Sequence, residues 1–202
     1  MIAFVEGKIT VLEPTYVILA TGGIGYHINI PLSTYSTLKE AKEAKLHTHF
    51  HVKEDSQSLY GFHTEKTKTL FKLLISVSGI GPNTGLMVLS SMEYDEVVNA
   101  IAMENVNSIK QVKGIGAKTA ERLVLELKDK IRKLASGNDV QEPSFSKGGQ
   151  QTNSFGLQEE AITALTTLGI SKNVAEKSIQ SALKKDPSMS LEQLIKFTLK
   201  GN

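Results

Sequence analysis

Apolar and polar positions alternate with period two over 4–12, 16–20, 26–30 and 46–52, which predicts half-buried strands. Gly22, Gly23 and Gly25 fall between the second and third stretches, where glycine supplies the positive φ of a tight hairpin. An Ala-, Lys- and Glu-rich stretch at 37–45 predicts one short helix among the strands. So many short strands within about sixty residues predict a small barrel, for which the OB-fold is the natural candidate. From Thr64 the period lengthens to about 3.6. Apolar stripes run through Leu70, Phe71, Leu74 and Ile75, then Val97, Val98 and Ile101, then Leu123, Leu127, Ile131 and Leu134, so this segment is helical.

The stretch 136–154, SGNDVQEPSFSKGGQQTNS, offers only Val140 and Phe145 as sizeable apolar groups, too little burial to offset ordering entropy. It reads as a tether with a root-mean-square span of roughly 25 Å. Beyond it, three short amphipathic helices are expected near 157–168, 172–185 and 190–200. Gly169 suits a C-terminal cap, Ser171 and Ser190 suit N-caps, Gln193 completes a capping box with Ser190, and Asp186-Pro187 breaks the chain. Leu165, Leu168, Ile179, Leu183, Leu191 and Leu194 supply the expected core. The organisation is therefore α+β and multidomain. A barrel at 1–63 is followed by a helical domain at 64–136, a linker at 137–155 and a three-helix bundle at 156–202.

Charge sharpens this division. The net charge is only +2, yet residues 64–136 carry 11 Lys and Arg against 8 Asp and Glu, while the first segment holds all five histidines. No cysteine is present, which removes disulfides, thiolate metal sites and cysteine nucleophiles. No apolar run approaches the roughly 18 to 20 residues of a membrane span, and the opening MIAFVEGKIT reads as a strand, so a cytoplasmic protein is expected.

The middle segment contains a repeat. Val77-Ser78-Gly79-Ile80-Gly81-Pro82-Asn83-Thr84 aligns with Val112-Lys113-Gly114-Ile115-Gly116-Ala117-Lys118-Thr119 at a constant offset of 35 residues. Each copy is expected to be a helix, a glycine turn and a helix. Glycines bring such a turn close to a ligand, and the following helix presents unpaired N–H groups with its positive dipole end, so the pair suits phosphate. Lys118 and Arg122 add formal charge after Gly116. Sites of this kind hold nucleic acid with little sequence preference. A dinucleotide fingerprint fails because the flanks are helical, and a P-loop fails because Ala117 precedes Lys118-Thr119.

At this point the chain resembles the RuvA family, the Holliday-junction-binding subunits of the bacterial branch-migration machine. The likeness spans nearly the whole chain. It rests on MIAFVEGKI, GGIGYHI, THFHVKEDSQSLYGF, SGIGP, KGIGAKTAERLVLELKDK, the linker and AITALTTLGISKNVAEKSI. The resemblance implies an OB-fold domain, two helix-hairpin-helix elements, and a mobile C-terminal domain that docks onto the RuvB motor ATPase. It further implies a homotetramer that holds the four arms of a junction, with the RuvC resolvase as an additional candidate partner. Recombination, DNA repair and the SOS response are the implied settings. Carried over by position, DNA contacts fall on Gly79, Gly81, Asn83, Gly114, Gly116, Lys118, Thr119 and Arg122. Family members often carry lysine where this chain has Asn83, so the first hairpin is expected to bind more weakly than the second.

Glu54 and Asp55 lie between the strand-like THFHVK and SLYGF. Alone they read as a solvated turn; the resemblance makes them an acidic pin beside the crossover. His47, His49 and His51 alternate along one strand, so their imidazoles share a face. With no carboxylate evident beside them, that face is expected to hold no metal. In the last segment the spacing of Leu165 and Leu168 fits core packing, whereas the resemblance assigns Leu165, Leu168, Ile170 and Leu199 to the surface that meets the motor. The expected protein is a non-catalytic DNA-binding subunit with no cofactor. The alternatives are a helix-hairpin-helix nuclease acting on branched DNA, and an adaptor that uses only its C-terminal bundle.

Overall fold

The computed structural model describes residues 1–135, 154–187 and 189–200. They divide into two compact units, Met1–Glu142 and Pro143–Asn202. The first opens with β1 (Phe4–Glu13), β2 (Tyr16–Thr21) and β3 (Ile24–Asn29), then α1 (Leu32–Leu38), β4 (Glu43–Val52) and β5 (Gln57–Phe62). The strands close into a barrel in the order β1-β2-β3-β5-β4. Gly22 and Gly23, at φ +55° and +82°, form the two-residue turn between β2 and β3. Gly25 belongs to β3 itself. β1 is long enough to pair with both β2 and β4, and it bends between the two ladders at a bulge near Ile9 and Val11. At Gly7 an ideal Cβ would lie 2.4 Å from the Ala20 carbonyl oxygen, so only glycine lets the strands meet there.

The expected helix at 37–45 is displaced. The helix forms earlier, at Leu32–Leu38, and Glu43, Ala44 and Lys45 are strand residues paired with Lys8, Gly7 and Glu6. Helix propensity is a weak preference, and the ladder along β1 overrides it. α1 follows Pro31, whose fixed φ suits a helix entrance, and it is tied to the helical segment by Leu32 N–H donating to Ser90 Oγ at 3.0 Å.

The helical segment runs α2 (Glu65–Ile75), α3 (Pro82–Ser91), α4 (Tyr94–Ala102), α5 (Val106–Lys110) and α6 (Ala117–Ala135). Of the predicted stripes, Leu70, Phe71, Leu74, Val97, Val98, Ile101, Leu123, Leu127 and Ile131 are buried and Ile75 is half-buried, while the Leu134 side chain lies outside what the structure describes; Leu89 and Ile109 join the same core. This core does not end at the helices. β5 points Leu59 into the barrel, while Tyr60 and Phe62 join the helical core, where the Phe62 and Phe71 rings lie 4.8 Å apart.

The second unit contains α7 (Ser154–Thr167), α8 (Lys172–Lys185) and α9 (Leu191–Leu199) around Ala161, Leu165, Ala175, Ile179, Ala182 and Leu194. α7 starts three residues before the expected 157. The proposed linker otherwise lies outside the described residues. Gly169, at φ +90°, ends α7 with two hydrogen bonds, from its own N–H to Thr166 O and from Ile170 N–H to Leu165 O. This is the Schellman arrangement that a glycine in the left-handed region permits. Ser190 and Gln193 form the expected capping box at the start of α9.

Candidate nucleic-acid interface

The two copies of the repeat adopt the same geometry. Gly79 and Gly114 have φ of +93° and +89°, the left-handed values that turn each chain between its helices. Ile80 N–H donates to Val77 O at 3.0 Å, and Ile115 N–H to Val112 O at 3.1 Å. Ile80 and Ile115 are buried beneath the turns and anchor them. Each following helix begins at the second glycine. Gly85 N–H donates to Gly81 O and Ala120 N–H to Gly116 O, both at 2.9 Å. The amides of Asn83 and Thr84, and of Ala117, Lys118 and Thr119, therefore precede the first helical hydrogen bond and face outward with the positive end of the dipole. Pro82 sits at a position where a missing N–H costs nothing.

Gly81 and Gly116 are glycines for a different reason. Neither has positive φ, and a Cβ built on either meets no atom within 4 Å. Neither the protein's backbone nor its packing demands glycine there. Without a Cβ the outer surface is smooth at both positions, a shape that suits close approach of a phosphate backbone.

Asn83, Lys113, Lys118 and Arg122 are exposed, and Thr119 is half-buried. Arg122 is not free: its Nε donates to Glu126 Oε1 at 2.6 Å, one helical turn farther along α6. The i, i+4 spacing of Arg122 and Glu126 on a helix is the sequence signal for that restraint, and reading Arg122 as a free cation passes over it.

Glu54 and Asp55 are the two central residues of the tight turn joining β4 to β5, closed by Lys53 N–H donating to Ser56 O at 2.8 Å. Both carboxylates are exposed. The histidine face packs toward α2, and it does have a carboxylate beside it: His47 Nδ1 lies 2.6 Å from Glu65 Oε2, and Lys68 Nζ lies 2.8 Å from Glu65 Oε1. Sequence reasoning missed Glu65 because it arrives from α2, eighteen residues away. Burial works against the Glu65 charge, but hydrogen bonding to Lys68 and the charges of Lys68 and His47 outweigh it and hold the carboxyl below its usual range. His49 stacks its edge on Phe71 at 5.7 Å, and its pKa is lowered by burial first, then by His51, Lys72 and Lys68. The Nε2 atoms of His49 and His51 are buried without hydrogen-bond partners. Among the described residues, no group of three or more His, Cys, Asp or Glu is placed to hold a metal ion.

The expected motor-facing residues separate. Leu165 is wholly buried in the core of the second unit with Ala161, Ala175, Ile179 and Leu194, so it is not surface. Ile170 is half-buried against the same core. Leu168, counted among the expected core residues, is instead 60% exposed, and Leu199 is 55% exposed. Val174 on α8 is a further exposed apolar residue that helical spacing did not single out.

A closed five-stranded barrel of OB-like topology, carrying two matched helix-hairpin-helix elements and followed by a small three-helix unit, defines a modular protein of the tandem helix-hairpin-helix class. Sequence profiles narrow the class. The profile described as "RuvA N terminal domain" matches residues 1–61, "SAM-like Helix-hairpin-helix tandem" matches 71–129, and "RuvA, C-terminal domain" matches 156–201. The chain is 48% identical to the Holliday junction branch migration complex subunit RuvA of Cytophaga hutchinsonii, with 99% of each chain covered. It is 44% identical to the protein of the same description from Christiangramia forsetii (99% of each covered) and 43% identical to that from Flavobacterium psychrophilum (100% of each covered). The chain belongs to the RuvA family.

Proposed function

We propose that this chain is a non-catalytic subunit that binds four-way DNA junctions and presents their arms to a separate ATP-driven motor, RuvB, for branch migration in recombination and repair. The observation that carries the proposal is the matched hairpin pair, with outward amides after Gly81 and Gly116 and open space over both glycines. Two such sites on one rigid segment grip phosphates at two places along a duplex arm and read its backbone without its bases.

A homotetramer supplies eight such hairpins, two for each arm, and gathers four copies of the Glu54-Asp55 turn near its axis. Eight carboxylates there repel a continuous duplex running through the centre and favour arms that part around it. The exposed Leu168 and Leu199 of the second unit form part of the motor-docking surface, with RuvC a further partner on the junction. The setting is the bacterial cytoplasm and the SOS response.

A gel shift with a labelled four-way junction, beside linear duplex of equal length and in the presence of magnesium, tests this reading. The expected result is a retarded, intact junction and weaker retention of the duplex. Cleaved product would instead establish the nuclease alternative, and equal retention of both DNAs would remove junction selectivity.

A further inference from the structure

We infer that Arg122 delivers its charge to the first hairpin, across the pseudo-symmetry of the repeat, and not to the second hairpin from which its own helix begins. The inference rests on the phosphate-binding reading of the two hairpins and assigns the cations between them.

The 35-residue offset maps Lys118 onto Asn83 and Arg122 onto Met87. Counted along the chain, the second hairpin has three cations, Lys113, Lys118 and Arg122, and the matching positions of the first, Ser78, Asn83 and Met87, have none. The spatial arrangement differs from that count. A Cβ built on Gly79, at the apex of the first hairpin, lies 4.0 Å from Thr119 Cγ2 on α6, and one built on Gly114, at the apex of the second, lies 3.0 Å from Met87 Cε on α3. Each apex is thus flanked by the helix that belongs to the other hairpin. Thr119 and Arg122 are three residues apart and share one face of α6. The symmetry that places Met87 against Gly114 places its counterpart, Arg122, on the Gly79 side.

Each hairpin then has a cation, with Lys113 remaining in the second turn itself. Lys118 stays with the second hairpin, whose cross-positioned neighbour is the neutral Met87, and Arg122 makes up for Asn83 at the first. The Glu126 carboxylate engages only Nε of Arg122, so the two terminal amino groups of the guanidinium keep their donors for phosphate.

A mutant cycle on junction binding, read as the slope of log affinity against log salt, tests the assignment. Gly81→Leu and Gly116→Leu block one hairpin each, in sites where the added Cβ meets nothing. Gly81→Val and Gly116→Val replace them if the leucine variants melt early. In the parent chain, Arg122→Gln should flatten the slope by about 0.9 per engaged subunit. It should add the same decrement on the Gly116-blocked background and none on the Gly81-blocked one. Met87→Arg should steepen the slope by about the same amount, and Gly116→Leu, but not Gly81→Leu, should cancel the gain.

An Arg122→Gln effect that disappears with Gly116→Leu, persists on both backgrounds, or is absent from the parent overturns the crossed assignment while leaving the hairpins as phosphate sites. If neither glycine block weakens junction binding, the hairpin reading itself falls and takes this assignment with it.

Discussion

At the scale of single residues, two groups carry the clearest tests: those proposed to meet phosphate, and those that join strand β4 to helix α2. Lys118 is exposed at the start of α6, beside amides that have no helical acceptor. Lys118→Ala should therefore weaken junction binding and reduce its log–log salt slope by about 0.9 per engaged subunit, measured by titration at several salt concentrations. Asn83→Lys should strengthen binding at moderate salt, and an unchanged affinity would mean that Asn83 does not reach the backbone. On the histidine face, His49 offers a pH test. His49 has a folded-state pKa below 6.5, so the unfolded chain takes up its proton first, and stability is lost as pH falls from about 6.5 through the folded value. His49→Gln should shrink the loss in thermal midpoint between pH 7.5 and 5.5, and a variant as acid-sensitive as the parent would assign that loss to other groups. Glu65 acts in the same direction at lower pH, since its depressed pKa gives stability that disappears as its carboxylate is protonated. The alternation of His47, His49 and His51 made their common face legible, but their partner on α2 is a contact between elements that local periodicity does not encode.

At the scale of elements, the glycine repeat was the most legible feature, because a duplicated turn needs the same left-handed glycine and the same buried isoleucine in both copies. Other elements were harder to read. Residues 37–45 carry helix-forming side chains, yet Glu43–Lys45 form the first rungs of β4 because β1 offers them a ladder. Leu165 and Leu168 are three apart, close enough in spacing to suggest one helix face, but α7 ends at Thr167, so Leu165 packs in the bundle core while Leu168 stands in the terminal turn in solvent. The β4–β5 turn is an element with a clear electrostatic test. Glu54→Gln with Asp55→Asn removes two charges while preserving shape, so plain duplex should bind more tightly and the junction preference should narrow in a competition assay. If both affinities stay fixed, the turn is only a solvated connection.

For the whole molecule, the proposed DNA-binding and motor-docking residues fall in different compact units. Deleting residues 137–202 should leave junction binding nearly intact and abolish motor-driven branch migration, scored by gel shift and by strand displacement with the motor present. Loss of junction binding by a truncated chain that still folds would contradict that separation. Within the full chain, Leu199→Asp should weaken motor coupling and spare the bundle, whereas Ile170→Asp should also lower its melting temperature, because Ile170 packs on the core. The boundary at residue 63, legible as a change of hydrophobic period, marks a change of architecture but not an independent core. β5 gives Leu59 to one side and Tyr60 and Phe62 to the other, so removing the helices would strip the cover from two large aromatic side chains. Barrel and hairpins should accordingly unfold together, as one calorimetric transition whose van't Hoff and measured enthalpies agree, and a lesion deep in either half will lower the same melting temperature.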